Sequence, residues 1–204
     1  MISKIFDTYL CSGSIISKKY VLTAARCFVN KAPVLYSIRS GSSYFDKYGS
    51  IHPIRKIKFN QYIDFSGYQH GIALVEVDEP FSFLGTFRKP IKFYEFNDLK
   101  ENTIVTVSGW DTCSKKNNEC FVVRNVSIID QDNCEIATKI EENMYDHICT
   151  AAVDGDCNFD HFGSILTIDG KLAGFSIYGE NSGWPIVFSS IRNYINWIED
   201  HLKE

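Results

Sequence analysis

The stretch C-S-G-S-I-I-S-K-K-Y-V-L-T-A-A-R-C, from Cys11 to Cys27, decides how the rest of the chain is read. It closes with an alternating apolar run, Tyr20 to Ala24, and the sextet L-T-A-A-R-C at Leu22 to Cys27, and it carries a cysteine at each end. Runs of the same kind, rich in Val, Ile, Tyr and Phe, recur outward from it: Ser14 to Ile16, Val34 to Ser40, Ile54 to Phe59, Ile72 to Val77, Ile104 to Ser108, Val122 to Ile129, Ser164 to Ile168 and Lys171 to Tyr178. Gly, Asn, Asp and Ser turns separate them, the spacing of an all-β barrel or sandwich. Ser190 to Lys203 breaks the pattern: Ile191, Tyr194, Ile195, Ile198 and Leu202 fall at helical spacing and Trp197 widens the apolar face, which predicts a C-terminal amphipathic helix.

Composition narrows the class further. The 204 residues are 45% hydrophobic and 14% aromatic, enough for a substantial core. Lys and Arg number 21 against 25 Asp and Glu, a net charge of −4, so a nucleic-acid partner is not expected. The apolar runs are strand-sized, which predicts no membrane span. Met1 to Leu10 has no continuous apolar segment of the secretory kind, as expected for a mature form. Seven dispersed cysteines, none in a C-x-x-C pair, argue for disulfides and secretion rather than a metal site; seven being odd, one thiol lacks an intrachain partner.

The sextet L-T-A-A-R-C resembles the segment of the chymotrypsin-fold, trypsin-like serine proteases that ends in T-A-A-H-C, where the His is the general base. The run I-R-N-Y-I-N-W-I-E at Ile191 to Glu199 is similar to the terminal helix of that family. The resemblance covers nearly the whole chain after residue 10. It implies an all-β fold of two antiparallel six-stranded β-barrels with a C-terminal α-helix, in one domain over residues 1–204. The N-terminal barrel would span about 1–90, the C-terminal barrel about 91–188 and the helix about 190–203, with the barrel boundary near Pro80 to Thr103.

In this family a Ser attacks, a His removes its proton and a buried Asp orients the His. The resemblance puts Arg26 in the His slot, and a guanidinium that stays protonated cannot accept a proton. The D-I-A-L strand of the family is matched by H-G-I-A-L-V-E-V, so Gly71 takes the Asp slot; His70 next to it points to the opposite strand face. G-D-S-G-G-P is matched by Phe159-Asp160-His161-Phe162-Gly163-Ser164, which puts His161 in the nucleophile slot and Phe159 at the Gly of the oxyanion hole. A bulky residue there adopts the required backbone only with strain. A competing register sets Gly155-Asp156-Cys157 on G-D-S and would make Cys157 a thiol nucleophile, but it leaves too long a stretch before G-K-L-A-G-F-S-I-Y-G.

The specificity pocket is expected around Gly155, Asp156, Tyr178 and Ile186, with Ile186 plugging the slot that a family Gly keeps open. The resemblance implies disulfides Cys11–Cys27 and Cys134–Cys149, each worth about 3 kcal/mol in the chain-entropy model. Cys113 and Cys120 flank a polar loop and are expected to bridge locally, leaving Cys157 free, with a Cys157 bond to Cys113 or Cys120 as the open alternative. No Ile-Val-Gly-Gly precedes Cys11 to supply the ammonium that family members pair with the residue at Asp160. Asn125-Val126-Ser127 is a glycosylation sequon lying in a predicted strand.

More narrowly, L-T-A-A-R-C, S-I-R-S at Ser37 to Ser40 and N-Y-I-N-W-I-E-D look like mite digestive trypsins of the group 3 allergen type. With a broken triad, such a chain is similar to the scabies mite inactivated protease paralogues. The resemblance implies a secreted, gut-associated pseudoprotease that binds host complement components and inhibits complement, with no cofactor, metal, nucleic-acid or membrane partner. Two alternatives stand beside it: a residual hydrolase using Cys157 or His161, and a non-catalytic cofactor or decoy for an active protease.

Overall fold

A computed structural model describes residues 2–3, 9–28, 32–60, 71–85, 87–95, 99–113, 120–138, 147–153, 157–158, 163–178 and 184–203. The N-terminal half forms a six-stranded antiparallel sheet. Its strands are β1 (Ile2–Ser3), β2 (Ser14–Ile15), β3 (Tyr20–Ala24), β4 (Tyr36–Ser40), β5 (Ser50–Phe59) and β6 (Ile72–Val77), in the order β1-β4-β5-β6-β3-β2. The C-terminal half forms a second antiparallel sheet from β7 (Ile104–Cys113), β8 (Cys120–Ser127), β9 (His147–Thr150), β10 (Cys157–Asn158), β11 (Ile165–Ile168), β12 (Lys171–Tyr178) and β13 (Ile186–Ser190). Its order is β10-β7-β11-β12-β13-β9, with β8 also on β7. The first helix, α1 (Gln131–Thr138), follows β8, and α2 (Ile195–Leu202) ends the chain.

The two curled sheets are the two half-barrels expected, the second carrying seven strands rather than six. The additional strand arises because β7 is ten residues long: beyond its pairing with β11, its far end takes up the two-residue β10. Strands β3 and β6 are buried along nearly their whole length, as strands covered on both faces must be. Leu22, Ile72, Leu74 and Val75 pack there with Phe175 and Leu172 of β12 and with Ile191 and Ile198, so one core joins both halves and the terminal helix. A second core, around Val107, Leu166, Ile186 and Phe188, fills the C-terminal half-barrel.

The crossing between halves is pinned by backbone bonds: Ile91 N donates to Ile15 O at 2.9 Å, and Tyr94 N to Leu172 O at 2.8 Å. The terminal helix starts where Ser190 Oγ accepts from Arg192 N, which caps a short 3-10 turn, Ile191–Tyr194, that runs into α2. Ile198 is fully buried, and Tyr194, Trp197 and Leu202 lie against the first core, the face that the helical spacing predicts. Disulfides join Cys11 to Cys27 and Cys134 to Cys149. No helix among the described residues is long and apolar enough to cross a membrane.

Candidate active site

Strand β3 leads directly into a single 3-10 turn, Ala25–Phe28, in which Ala25, Cys27 and Phe28 are buried and Arg26 is half-buried. The register of β3 on β6 sets Ala24 opposite Ile72, and Ala25 N donates to Gly71 O at 2.8 Å. Arg26 and Gly71, far apart in sequence, are therefore neighbours at one rim of the first sheet, the edge formed by the end of β3 and the start of β6. Gly71 is buried and brings no side chain to that edge.

The segment leading into β11 comes to the same edge. Gly163 sits at φ +82°, and a Cβ built there would lie 2.8 Å from Ser12 O and 3.3 Å from Thr23 Oγ1. Its N–H donates to Ser176 O at 3.1 Å, Ser164 N donates to Ser176 Oγ at 2.9 Å, and Ser176 N returns a bond to Ser164 O at 2.8 Å. Ser12 O in turn accepts from Thr23 Oγ1 at 2.6 Å. The residue two positions past His161 is thereby held against the Cys11–Cys27 segment. His161, Phe159, Gly155 and Asp156 lie outside the described residues. Of the positions that the resemblance assigns to the reacting groups, those described carry an arginine and a glycine.

On the far side of the second sheet, Tyr178 is half-buried and packs with Ile177, Val187 and the Cys134–Cys149 bridge. Ile186, 4% exposed, lies on the other face of β13 from Val187 and packs with Val105, Ile148 and Phe188 in the second core. Strand β10 sets Cys157 in register with Cys113, and Asn158 with Thr112, whereas Cys120 is opposite Asp111. The backbone partner of Cys113 is thus Cys157 rather than Cys120.

A second polar cluster, which the linear reading does not single out, lies between β4 and β5. His52 Nε2 and Ser40 Oγ are 2.9 Å apart, Arg88 donates to Ser40 Oγ at 3.3 Å and to Ser50 Oγ at 3.0 Å, and the His52 ring meets Phe81 edge-on at 4.5 Å. Burial, and then the charge of Arg88, push the imidazole pKa below its ordinary value. No carboxylate is hydrogen-bonded to His52 among the described residues. The signal available in sequence was the inward alternation of His52 and Ile54 on β5, both buried between exposed neighbours. Their partners on β4 and at Arg88 come only from the tertiary pairing.

Sheet order, the edge formed by Arg26, Gly71 and Gly163, and the placement of Cys11–Cys27 define a chymotrypsin-type two-half-barrel protein. The family model of trypsin matches residues 1–198, and the chain belongs to that family. It is 26% identical over 211 residues to trypsin epsilon of Drosophila erecta, covering 98% of this chain and 80% of that protein. To chymotrypsin-2 of Vespa crabro it is 28% identical over 199 residues, covering 94% and 88% respectively. Among solved structures it resembles scabies mite inactivated protease paralogue S-I1, with a TM-score of 0.83, 24% identity and 95% and 88% of the two chains covered. Paralogue S-D1 superposes with a TM-score of 0.80 at 26% identity, covering 95% and 87%. Mouse brain neuropsin, a serine protease, gives 0.77 at 24%, covering 95% and 89%.

Proposed function

We propose that the chain is a secreted pseudoprotease of the trypsin family that acts by binding protein, with host complement components as the partner and complement inhibition as the outcome. The observation that carries the reading is the bond from Ala25 N to Gly71 O. It supports the assignment of Arg26 and Gly71 to adjacent catalytic slots, and neither residue can perform the chemistry of its slot. The likeness to two inactivated paralogues supports the same reading, as does His161 in the nucleophile register.

The triad in this family is worth on the order of 10⁶ in turnover, with 10³ to 10⁴ over water surviving through the oxyanion hole and binding. Phe159 at the hole would remove much of that remainder. The test is incubation of purified protein with a fluorophosphonate, an iodoacetamide probe and ester and peptide substrates. No labelling coupled to turnover is expected, together with capture of complement components from host serum and loss of complement lysis. Turnover above a heat-denatured control would overturn the pseudoprotease reading; unchanged lysis would overturn the partner.

A residual hydrolase is the second reading. Beyond Cys157 and His161, it draws support from the Ser40–His52 hydrogen bond, a hydroxyl beside an imidazole. Against it, both residues are under a tenth exposed and the imidazole has no carboxylate to orient it among the described residues. Fluorophosphonate labelling that mapped to Ser40 would establish this reading. A decoy role toward an active protease would show instead as competition for that protease's inhibitor.

A further inference from the structure

The sequon Asn125-Val126-Ser127 lies on β8, which is paired along its length with β7 and with no other strand among the described residues. Val126 is buried in the second core, so by alternation Asn125 and Ser127 stand on the outer face of the sheet. Asn125 is exposed, and its Oδ1 accepts from Thr106 Oγ1, directly across on β7, at 3.1 Å. With the carbonyl oxygen turned to Thr106, the amide nitrogen Nδ2 is turned away from it. A sugar attached at that nitrogen leaves the carbonyl as an acceptor, so the bond to Thr106 survives the modification.

The side of β8 away from β7 is open over the same residues. At its two ends other segments cover it: Phe121 N donates to Ser43 O at 3.0 Å, and Ser127 O accepts from Ala151 N at 2.8 Å. Main-chain groups in an antiparallel ladder turn alternately toward and away from a given neighbour, so Val123 and Asn125 turn theirs away from β7 as Phe121 and Ser127 do. The Arg124 guanidinium takes Val123 O at 3.0 Å, and no other segment bonds this stretch of edge among the described residues. Ile104 and Val123, 64% and 50% exposed, add apolar surface beside it. An open strand edge with apolar neighbours is a template on which a second copy of the chain can pair.

We propose that Asn125 carries an N-linked oligosaccharide, and that this glycan shields the open edge of β8 against pairing with a second copy. The site is distinct from the catalytic positions, and it rests on the secretion assumed in the proposed function. In the modification the C1–O bond of a lipid-diphosphate-linked oligosaccharide breaks as the C1–N bond to Asn125 Nδ2 forms; the lipid diphosphate leaves and the amide gives up one proton to solvent. Transfer takes place on the extended chain as it enters the secretory compartment, so the fold need only leave room for the product, which the exposure of Asn125 provides.

The test directs the full chain into the secretory pathway of insect cells behind a cleavable signal, beside Asn125→Gln and Ser127→Ala. The intact mass of the unaltered chain should exceed that of its sequence by an oligosaccharide, removable by peptide-N-glycosidase and mapped to Asn125, and neither variant should carry it. Occupancy is read on chain from the medium and on chain retained in the cells alike, so a failure of export, which counts against secretion, does not remove the reading. An unmodified Asn125 would overturn the proposal and leave secretion standing. Sedimentation then compares self-association: both variants should associate about tenfold or more tightly than the glycosylated chain, and adding Val123→Lys should reverse it. Sequon-free chains as monomeric as the glycosylated one would overturn the shielding. Should a variant fail to fold, enzymatic removal of the glycan from the folded, unaltered chain makes the same comparison.

Discussion

Replacing Gly163 by alanine tests the convergence of the catalytic edge more directly than any change at Arg26. The new Cβ would stand 2.8 Å from Ser12 O, closer than such contacts allow, and at φ +82° the backbone conformation itself disfavours a side chain. Ser12 cannot easily retreat: it is fully buried, its carbonyl accepts from Thr23 Oγ1, and Cys11 beside it is bonded to Cys27. Left-handed strain costs about 1 kcal/mol and overpacking against fixed backbone a further 1–3 kcal/mol, or about 2–4 kcal/mol in all. At about 2–4 °C per kcal/mol for a chain of this size, the melting temperature should fall by roughly 4–16 °C. Gly170 provides the control. It has φ +70° but nothing within 4 Å of a built Cβ, so Gly170→Ala should cost only the strain, about 2–4 °C. Both are read by circular dichroism on heating. If the two variants melt within about 1 °C of each other, Gly163 does not abut Ser12, and the edge that gathers the catalytic positions is misplaced.

Arg26→His should leave ester hydrolysis at the level of a heat-denatured control, because Gly71 supplies no carboxylate to orient the new imidazole; a rise of about tenfold or more would mean that a competent nucleophile is already in place. The fold holds His52 below its ordinary pKa, so its neutral form is the one accommodated. The associated stability is full above the ordinary value of 6.5 and is lost as the pH falls through that value toward the lowered one. The melting temperature should accordingly drop between about pH 7.5 and 5, less so in His52→Gln, and an identical slope in that variant would refute the assignment. Peptide mapping without reduction is expected to recover Cys113 joined to Cys157: directly opposed antiparallel residues have Cα atoms about 4.5–5.5 Å apart, inside the span a disulfide bridges. Recovery of a Cys113–Cys120 peptide would overturn the expected bond.

Where one face or both of a strand is buried, its period is written in its own residues. Strands β3, β6 and β12 have the bounds that alternation and apolar runs predict, and within Ser190 to Lys203 the 3-10 turn Ile191–Tyr194 and the helix Ile195–Leu202 form for the same local reason. Strands β9 and β13 escape that reading because His147–Thr150 and Ile186–Ser190 are too short or too uniformly apolar to show a period; β13 becomes a strand by pairing with β12, and β9 by pairing with β13. Helix α1, Q-D-N-C-E-I-A-T, has little apolar face to announce it and is tied down by the Cys134–Cys149 bond and by Asp130 accepting from Asn133 N.

Sequence by itself determined what each residue can do: an arginine cannot serve as a base nor a glycine as an orienting acid, wherever the chain places them. Only the tertiary structure decided what stands beside what. Gly71 against Ala25, Gly163 against Ser12 and Cys157 across from Cys113 are contacts between segments distant along the chain, and His52 meets Ser40 across the β4–β5 pairing. A strand's local pattern specifies which face is buried, whereas its partner and register are settled by the closure of the whole sheet. The cavity lined by Ile15, Val21 and Ile165 exists only because the two sheets meet around it.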